Sequence, residues 1–228
     1  MSAPDLLRTG IYSAPEAEAL IGVPARKIRG WIDGWPGAVG APVIQNDLGW
    51  IDRHLAFSFA NLMELRFIAF FERAGVKIRE IRFILDEVRK ELHRPHPFAT
   101  NIVFKTDGAK VVAEIARKNG VADLYDLRTK NFEMGVVVYR SLKDGVVYNP
   151  RGEAQAWFPD KKNAPNIFIH PSIAFGHPVL KGSNIPIEAI IQSVRAEGSI
   201  EAAAMVFELS ERRVKEAVAF DAYLRRAA

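Results

Sequence analysis

Cysteine is absent from the 228 residues. That excludes disulfides, thiolate-bound metal and a thiol nucleophile together, and a reducing cytoplasm is the natural setting for such a chain. Long apolar runs are missing too. Those present are too short and too interrupted by charge to cross a bilayer, and Met1 to Thr9 lack the basic-then-apolar order of a signal peptide. The expectation is a soluble, cytoplasmic protein with no membrane partner. A large excess of one charge is also lacking, since 31 Lys+Arg face 27 Asp+Glu for a net charge of +4. Attraction to a polyanion must therefore come from where the charges sit.

The patterns that carry common catalytic chemistry are missing as well. The glycine-rich phosphate cradles G-x-x-x-x-G-K-[ST] and G-x-G-x-x-G do not occur, nor does the G-x-S-x-G elbow that exposes a serine nucleophile. Of the five histidines, His93 and His96 flank prolines in a helix break, and His170 and His177 lie on a loop without H-x-x-x-H spacing. The expectation is a protein that is not an enzyme and holds no cofactor or metal.

What is present is a chain 49% apolar and 25% charged, long enough for two small domains with real cores. Ser13-Ala14-Pro15-Glu16 is a capping box with proline in the first turn, which starts a helix that Gly22 stops. Val23 and Pro24 open a second helix. There Ile28, Trp31 and Ile32 recur at helical spacing and form a stripe to be buried, leaving Arg26, Lys27 and Arg29 outward. Two short helices on a glycine turn form a helix-turn-helix. Residues 34–51 then read as a hairpin wing, with β-like pieces at 43–45 and 49–51 around Asn46-Asp47.

Helical periodicity resumes over residues 55–73, and a third long helix spans 78–92. Its Ile81, Ile84, Leu85, Val88 and Leu92 form a near-heptad seam that suits either a core or a dimer partner. Phe57, Phe59, Phe67, Phe70, Phe71 and Phe83 fall at helical spacing and are expected in the core, with a stacking platform for single strands as the competing use. After the break at 93–97 the period changes, predicting strands at 102–106, 110–115 and 136–142. Residues 146–148 complete a hairpin, with Asp107-Gly108 and Asp144-Gly145 as tight turns. The polar, breaker-rich stretch 160–165 reads as a boundary. Beyond it lie a short strand at 167–169, a glycine-punctuated arm at 173–184, and three helices opened by Pro186, Ser199 and Ser210.

The segments Ile169-His170-Pro171, Ala174-Phe175-Gly176, Pro178 to Ser183, Ile185-Pro186 and Gly198-Ser199-Ile200-Glu201 resemble the family called domain of unknown function 433. That family usually has aspartate at the place of His170 and threonine at the place of Ser183. The N-terminal part resembles a MerR-type winged helix. Together the two modules resemble long VapB-type antitoxins. This resemblance implies a PIN-domain ribonuclease toxin as partner, and a second task of repressing the shared operon by binding double-stranded operator DNA.

The sequence therefore predicts an α+β protein in three parts. A winged helix-turn-helix with a long helix covers 1–98, a β-rich middle 99–160, and a helical domain with a helix-turn-helix-like trio 164–228. Arg26, Lys27 and Arg29 suit a recognition helix, because arginine reads guanine O6 and N7 with two parallel hydrogen bonds; the competing reading is a solvated basic face. Asn46 at the wing tip, Arg53, His54 and Arg66 are phosphate candidates, set against ordinary exposed residues. Arg212, Arg213 and Lys215 occupy the recognition position of the C-terminal trio, where packing or dimerisation competes. Arg225 and Arg226 are candidates to plug a toxin's carboxylate cluster, against a frayed cationic tail. Ile81, Ile84, Val88 and Leu92 are the candidate homodimer surface, since two-fold operators call for two-fold proteins. The alternative function is a stand-alone MerR-like transcriptional regulator without a toxin partner.

Overall fold

Ser13 starts the first helix as the capping box requires. Its Oγ accepts from the Glu16 amide at 3.4 Å, while the Glu16 carboxylate accepts from the Ser13 amide at 2.7 Å. In the computed structural model, which describes residues 9–35, 41–73, 75–102 and 144–227, this helix is α1, Ala14–Ile21. It follows a two-residue strand, β1, Tyr12–Ser13. Gly22 closes α1 in the left-handed region at φ 66°, where a side chain would be strained. Pro24 then opens α2, Ala25–Asp33, and the Glu18 carboxylate of α1 accepts from the Ala25 amide at 3.0 Å, satisfying one of the bare donors at the α2 start.

Strands β2, Gly49–Ile51, and β3, His54–Phe57, form a hairpin, and β1 adds antiparallel to β3 to give the sheet order β1-β3-β2. The hairpin turns at Asp52-Arg53, both with positive φ (44° and 64°), the twist that two-residue hairpins need. The predicted wing is therefore displaced. Val43 and Ile44 are buried against α2 with their amides donating to the Trp31 carbonyl, and no strand includes them.

Helix α3 is Phe59–Arg73, shorter than predicted because residues 55–57 complete β3. Ser58 is its cap, its Oγ accepting from the Asn61 amide at 3.1 Å. Helix α4, Ile78–Leu92, has the predicted span. Its Ile81, Ile84, Leu85 and Val88 are buried within the chain's own N-terminal core, and Leu92 packs against that core. This corrects the dimer-surface expectation: Ile81, Ile84, Val88 and Leu92 already have partners inside one chain. Of the aromatic residues expected in the core, Phe57, Phe59, Phe67 and Phe71 are buried and Phe70 half-buried, while Phe83 lies outside at 37% exposure.

A 3-10 turn at Pro97–Ala99 follows. The strands predicted between 103 and 142 lie outside the described residues. β4, Val146–Tyr148, pairs antiparallel with β5, Ala154–Trp157, across a turn held by the Asn149 side chain. A second ribbon joins β6, Ile167–Phe168, to β7, Val179–Leu180. Three helices complete the chain: α5, Ile187–Glu197, α6, Ile200–Val206, and α7, Glu211–Ala227. They close over a second core of Ile167, Leu180, Ile190, Ala203, Val214 and Phe220. Helices and small antiparallel sheets make the fold α+β. Among the described residues, no helix is long and apolar enough to cross a membrane.

The C-terminal helices are fastened to the N-terminal unit. α7 packs along α1, and Leu224 touches both cores. The Tyr12 hydroxyl donates to the Gly176 carbonyl at 2.9 Å, and the Ile11 amide to the Phe175 carbonyl at 3.0 Å. At Gly176 (φ 90°) a Cβ would collide with the Tyr12 hydroxyl, so the arm needs glycine there.

Candidate nucleic-acid interface

The apolar stripe of α2 behaves as its spacing requires: Ile28, Trp31 and Ile32 are buried. Arg26 and Arg29, three residues apart on the opposite face, are exposed and have no hydrogen-bond or ion-pair partner among the described residues. Lys27 differs from the expectation. Its ammonium pairs with Glu72 of α3 at 2.5 Å and lies 5.7 Å from the Trp31 ring centroid, so it braces α2 against α3 and does not share the outward face.

Beside this face stands the β2–β3 hairpin. Arg53 at its turn and His54 at the start of β3 are exposed, as a phosphate-contacting role requires. Trp50 is 59% exposed, an unusual position for its ring, and its indole donates to the Asp33 carboxylate at the end of α2 at 3.4 Å. Asn46 is not at the tip. Its amide donates to the Ala56 carbonyl at 3.0 Å and its oxygen accepts from the Leu48 amide at 3.2 Å, so it secures the hairpin's base. Arg66 is likewise withdrawn: its guanidinium lies 4.7 Å from the Trp157 ring centroid, near Tyr148 and beneath the β4–β5 ribbon. Burial brings it down to about 10, against the pull of Tyr148 and Asp144. Arg66 therefore packs the interior and is removed from the phosphate candidates.

Under the hairpin lies a cluster that sequence reasoning missed. Glu64 of α3 is fully buried, and the His96 imidazole lies between two carboxylates, with Nδ1 3.0 Å from Glu64 Oε2 and Nε2 2.7 Å from Asp47 Oδ1. Asp47 also accepts from the Ser58 hydroxyl at 2.5 Å, and its amide donates to the Asn61 side chain at 3.1 Å. The Asn61 amide in turn donates to the Gln45 carbonyl at 2.7 Å. Arg89 approaches Glu64 at 4.0 Å while donating to the Pro95 carbonyl and to Asp86. Burial opposes charge on His96, but the hydrogen bonds to Asp47 and Glu64 outweigh it and hold the ring up at about 9. Burial likewise pushes the Glu64 carboxyl up, against His96 and Arg89, and one of its oxygens has no hydrogen-bond partner among the described residues. At Asp47 the bonds from His96 and Ser58 overcome burial and hold the carboxyl below its usual range. At neutral pH, then, a buried imidazolium donates to both sides. Two signals could have revealed it: an acidic residue inside the apolar run Leu62-Met63-Glu64-Leu65, and a histidine held between Pro95 and Pro97.

The cations of the C-terminal trio are mostly occupied. The Arg213 guanidinium donates to the Lys181 carbonyl, and Lys215 pairs with Glu211 at 2.9 Å. Arg212 alone of the three is exposed without a partner among the described residues. At the chain's end, Arg225 pairs with Asp221 at 2.8 Å and Arg226 donates to the Ala222 carbonyl at 3.1 Å, both exposed on a helix that continues to Ala227.

A family model described as "Protein of unknown function (DUF433)" matches residues 167–220, as the C-terminal motifs implied. Over 223 residues, 91% of this chain and 92% of the relative, the sequence is 24% identical to "Putative antitoxin VapB45" of Mycobacterium tuberculosis. Over 226 residues, 96% of this chain and 92% of the relative, it is 24% identical to "Uncharacterized protein Rv2308" of the same organism. The X-ray crystal structure of Rv2018 from Mycobacterium tuberculosis matches with a TM-score of 0.72 at 22% identity, covering 91% of this chain and 96% of that one. The two share a fold along nearly their whole length.

Proposed function

We propose that the chain is a VapB-type antitoxin without catalytic activity of its own, which binds operator DNA through a MerR-like winged helix-turn-helix and neutralises a PIN-domain ribonuclease. The observation that carries the DNA half is the exposure of Arg26 and Arg29 on a helix fixed by its buried stripe, beside a hairpin that presents Arg53 and His54. Two exposed guanidiniums one helical turn apart, without partners among the described residues, suit bidentate contacts with base edges, while the hairpin residues suit phosphates. The antitoxin half is supported by similarity to the VapB45 relative over 91% of this chain.

The exposed end of α7, with Arg225 and Arg226, is our proposed contact with the toxin's carboxylate cluster. A two-fold dimer is part of the reading, with its surface elsewhere than the α4 seam. The test has two arms. Labelled DNA from the protein's own promoter should bind with an affinity that falls steeply with salt, and the protein should co-purify with a PIN-type ribonuclease and suppress its RNA cleavage. DNA binding without any such partner would favour a stand-alone regulator; neither activity would contradict the proposal. Toxin inhibition that survives Arg225→Ala with Arg226→Ala would contradict the assignment at α7.

A further inference from the structure

The hairpin is held on one side, where β3 pairs with β1 and buries Leu55, Ala56 and Phe57. But β2, three residues long with Trp50 and Ile51 exposed, has little power to fix its own direction, because short ribbons are marginal in water. Above its base, β2 is tied to α2 by the exposed Trp50–Asp33 hydrogen bond. At the base, Asp47 stands two residues before β2 and is joined to two separate parts of the chain: His96 after α4, and the start of α3 through its cap Ser58 and first-turn Asn61. His96 is placed in turn by its other nitrogen on Glu64 and by Arg89, which holds the Pro95 carbonyl at 2.8 Å. The turn that follows leads to Asn101, whose amide donates to the Gly152 carbonyl at the β4–β5 ribbon. A continuous path of bonds therefore runs from that ribbon to the hairpin.

We infer that His96, through Asp47 and Glu64, is a positioning residue for DNA binding: it sets the hairpin against α2, so that affinity depends on a buried site away from the DNA face. This rests on the DNA-binding reading above. The groups facing His96 are Asp47 from the loop before β2 and Glu64 from α3, with Arg89 of α4 beside Glu64 and Asp86 paired to Arg89. When the imidazolium loses its proton, one carboxylate loses its donor and two carboxylates face a neutral ring, which loosens Asp47 and the strand attached to it.

The experiment measures binding of a labelled promoter fragment at constant salt from about pH 7.5 to about pH 9.5, for the unaltered protein, His96→Gln and Asp47→Asn. Amide hydrogen exchange of residues 49–57 and 187–227 is followed in the same samples. The unaltered protein should weaken about tenfold across this range, and His96→Gln should start about tenfold weaker and stay nearly flat. Asp47→Asn, which keeps the side chain's shape, should fall between them. Hairpin amides should exchange faster in both variants, by a larger factor than residues 187–227. Variants that bind as tightly as the parent with the same pH profile overturn the inference, as does exchange that speeds up equally over the hairpin and residues 187–227, which would make His96 merely structural. Unaltered protein that binds no promoter DNA contradicts the DNA reading itself, and this inference with it. That outcome is distinct from binding that ignores His96.

Discussion

Two of the helix pairs joined by short turns, α1–α2 and α6–α7, differ in what happens to their cations. On α2, Arg26 and Arg29 face outward with no partner among the described residues, and the partnered lysine, Lys27, braces the pair from behind. On α7, Arg213 holds a backbone carbonyl, Lys215 pairs with Glu211 and Arg225 with Asp221, which leaves Arg212 as the exposed cation of its first turn without a partner among the described residues. The supports differ too. The N-terminal pair has a hairpin at its side and a buried ionic cluster beneath it, whereas the C-terminal pair rests on an apolar core and docks along α1. Cations without internal partners are the ones available to a polyanion, which is why the proposed DNA reading is placed on the first pair.

The largest expected effect breaks this comparison or confirms it. Arg26→Ala with Arg29→Ala should weaken promoter binding by about 4 kcal/mol, near a thousandfold, while Arg212→Ala with Lys215→Ala should change it by less than about threefold; anisotropy titration at one salt concentration decides. Next, His96→Leu should lower stability by about 3 kcal/mol in chemical denaturation at neutral pH, because it leaves Asp47 and Glu64 uncompensated. His96 has a folded-state value of about 9, above its ordinary 6.5. Its stabilising contribution is therefore fully present below about pH 6.5 and lost as pH rises through about 9, so the gap between parent and variant should shrink over that window. Gly198→Ala, at φ 73° after α5, should cost about 1 kcal/mol without altering promoter affinity. The smallest effect concerns the α6–α7 turn, where Glu208 has φ 53°: Glu208→Gly should stabilise by about 0.5 kcal/mol, read from the denaturation midpoint.

Local chemistry made the N-terminal helix pair legible in the sequence. Ser13, Glu16 and Gly22 act within a few residues of themselves, and the Ile28-Trp31-Ile32 stripe needs only helical periodicity to declare its face. The span of α4 and the order of the C-terminal helices were readable for the same reason. The hairpin was not, because Asn46-Asp47 has turn-forming composition but is used at the base, whereas Asp52-Arg53 adopts positive φ without a glycine to signal it. The start of α3 was marked by Ser58 and Asn61, but an apolar run across the boundary obscured it. The fate of Arg66 depends on Trp157, far along the chain, and no periodicity carries that information. An apolar seam on α4 suits a core and a partner equally well, and only tertiary packing chose between them. In the site, two outward arginines and the exposed Arg53 and His54 were foreseen, while the Asp47–His96–Glu64 cluster became visible only once three distant segments were brought together.

The most direct measurement is a hydrogen-exchange footprint of the protein with and without its own promoter DNA. New protection over residues 25–33 and 49–57, with residues 199–227 unchanged, is the predicted result. Protection confined to residues 199–227 would contradict the assignment of DNA reading to α2 and the hairpin.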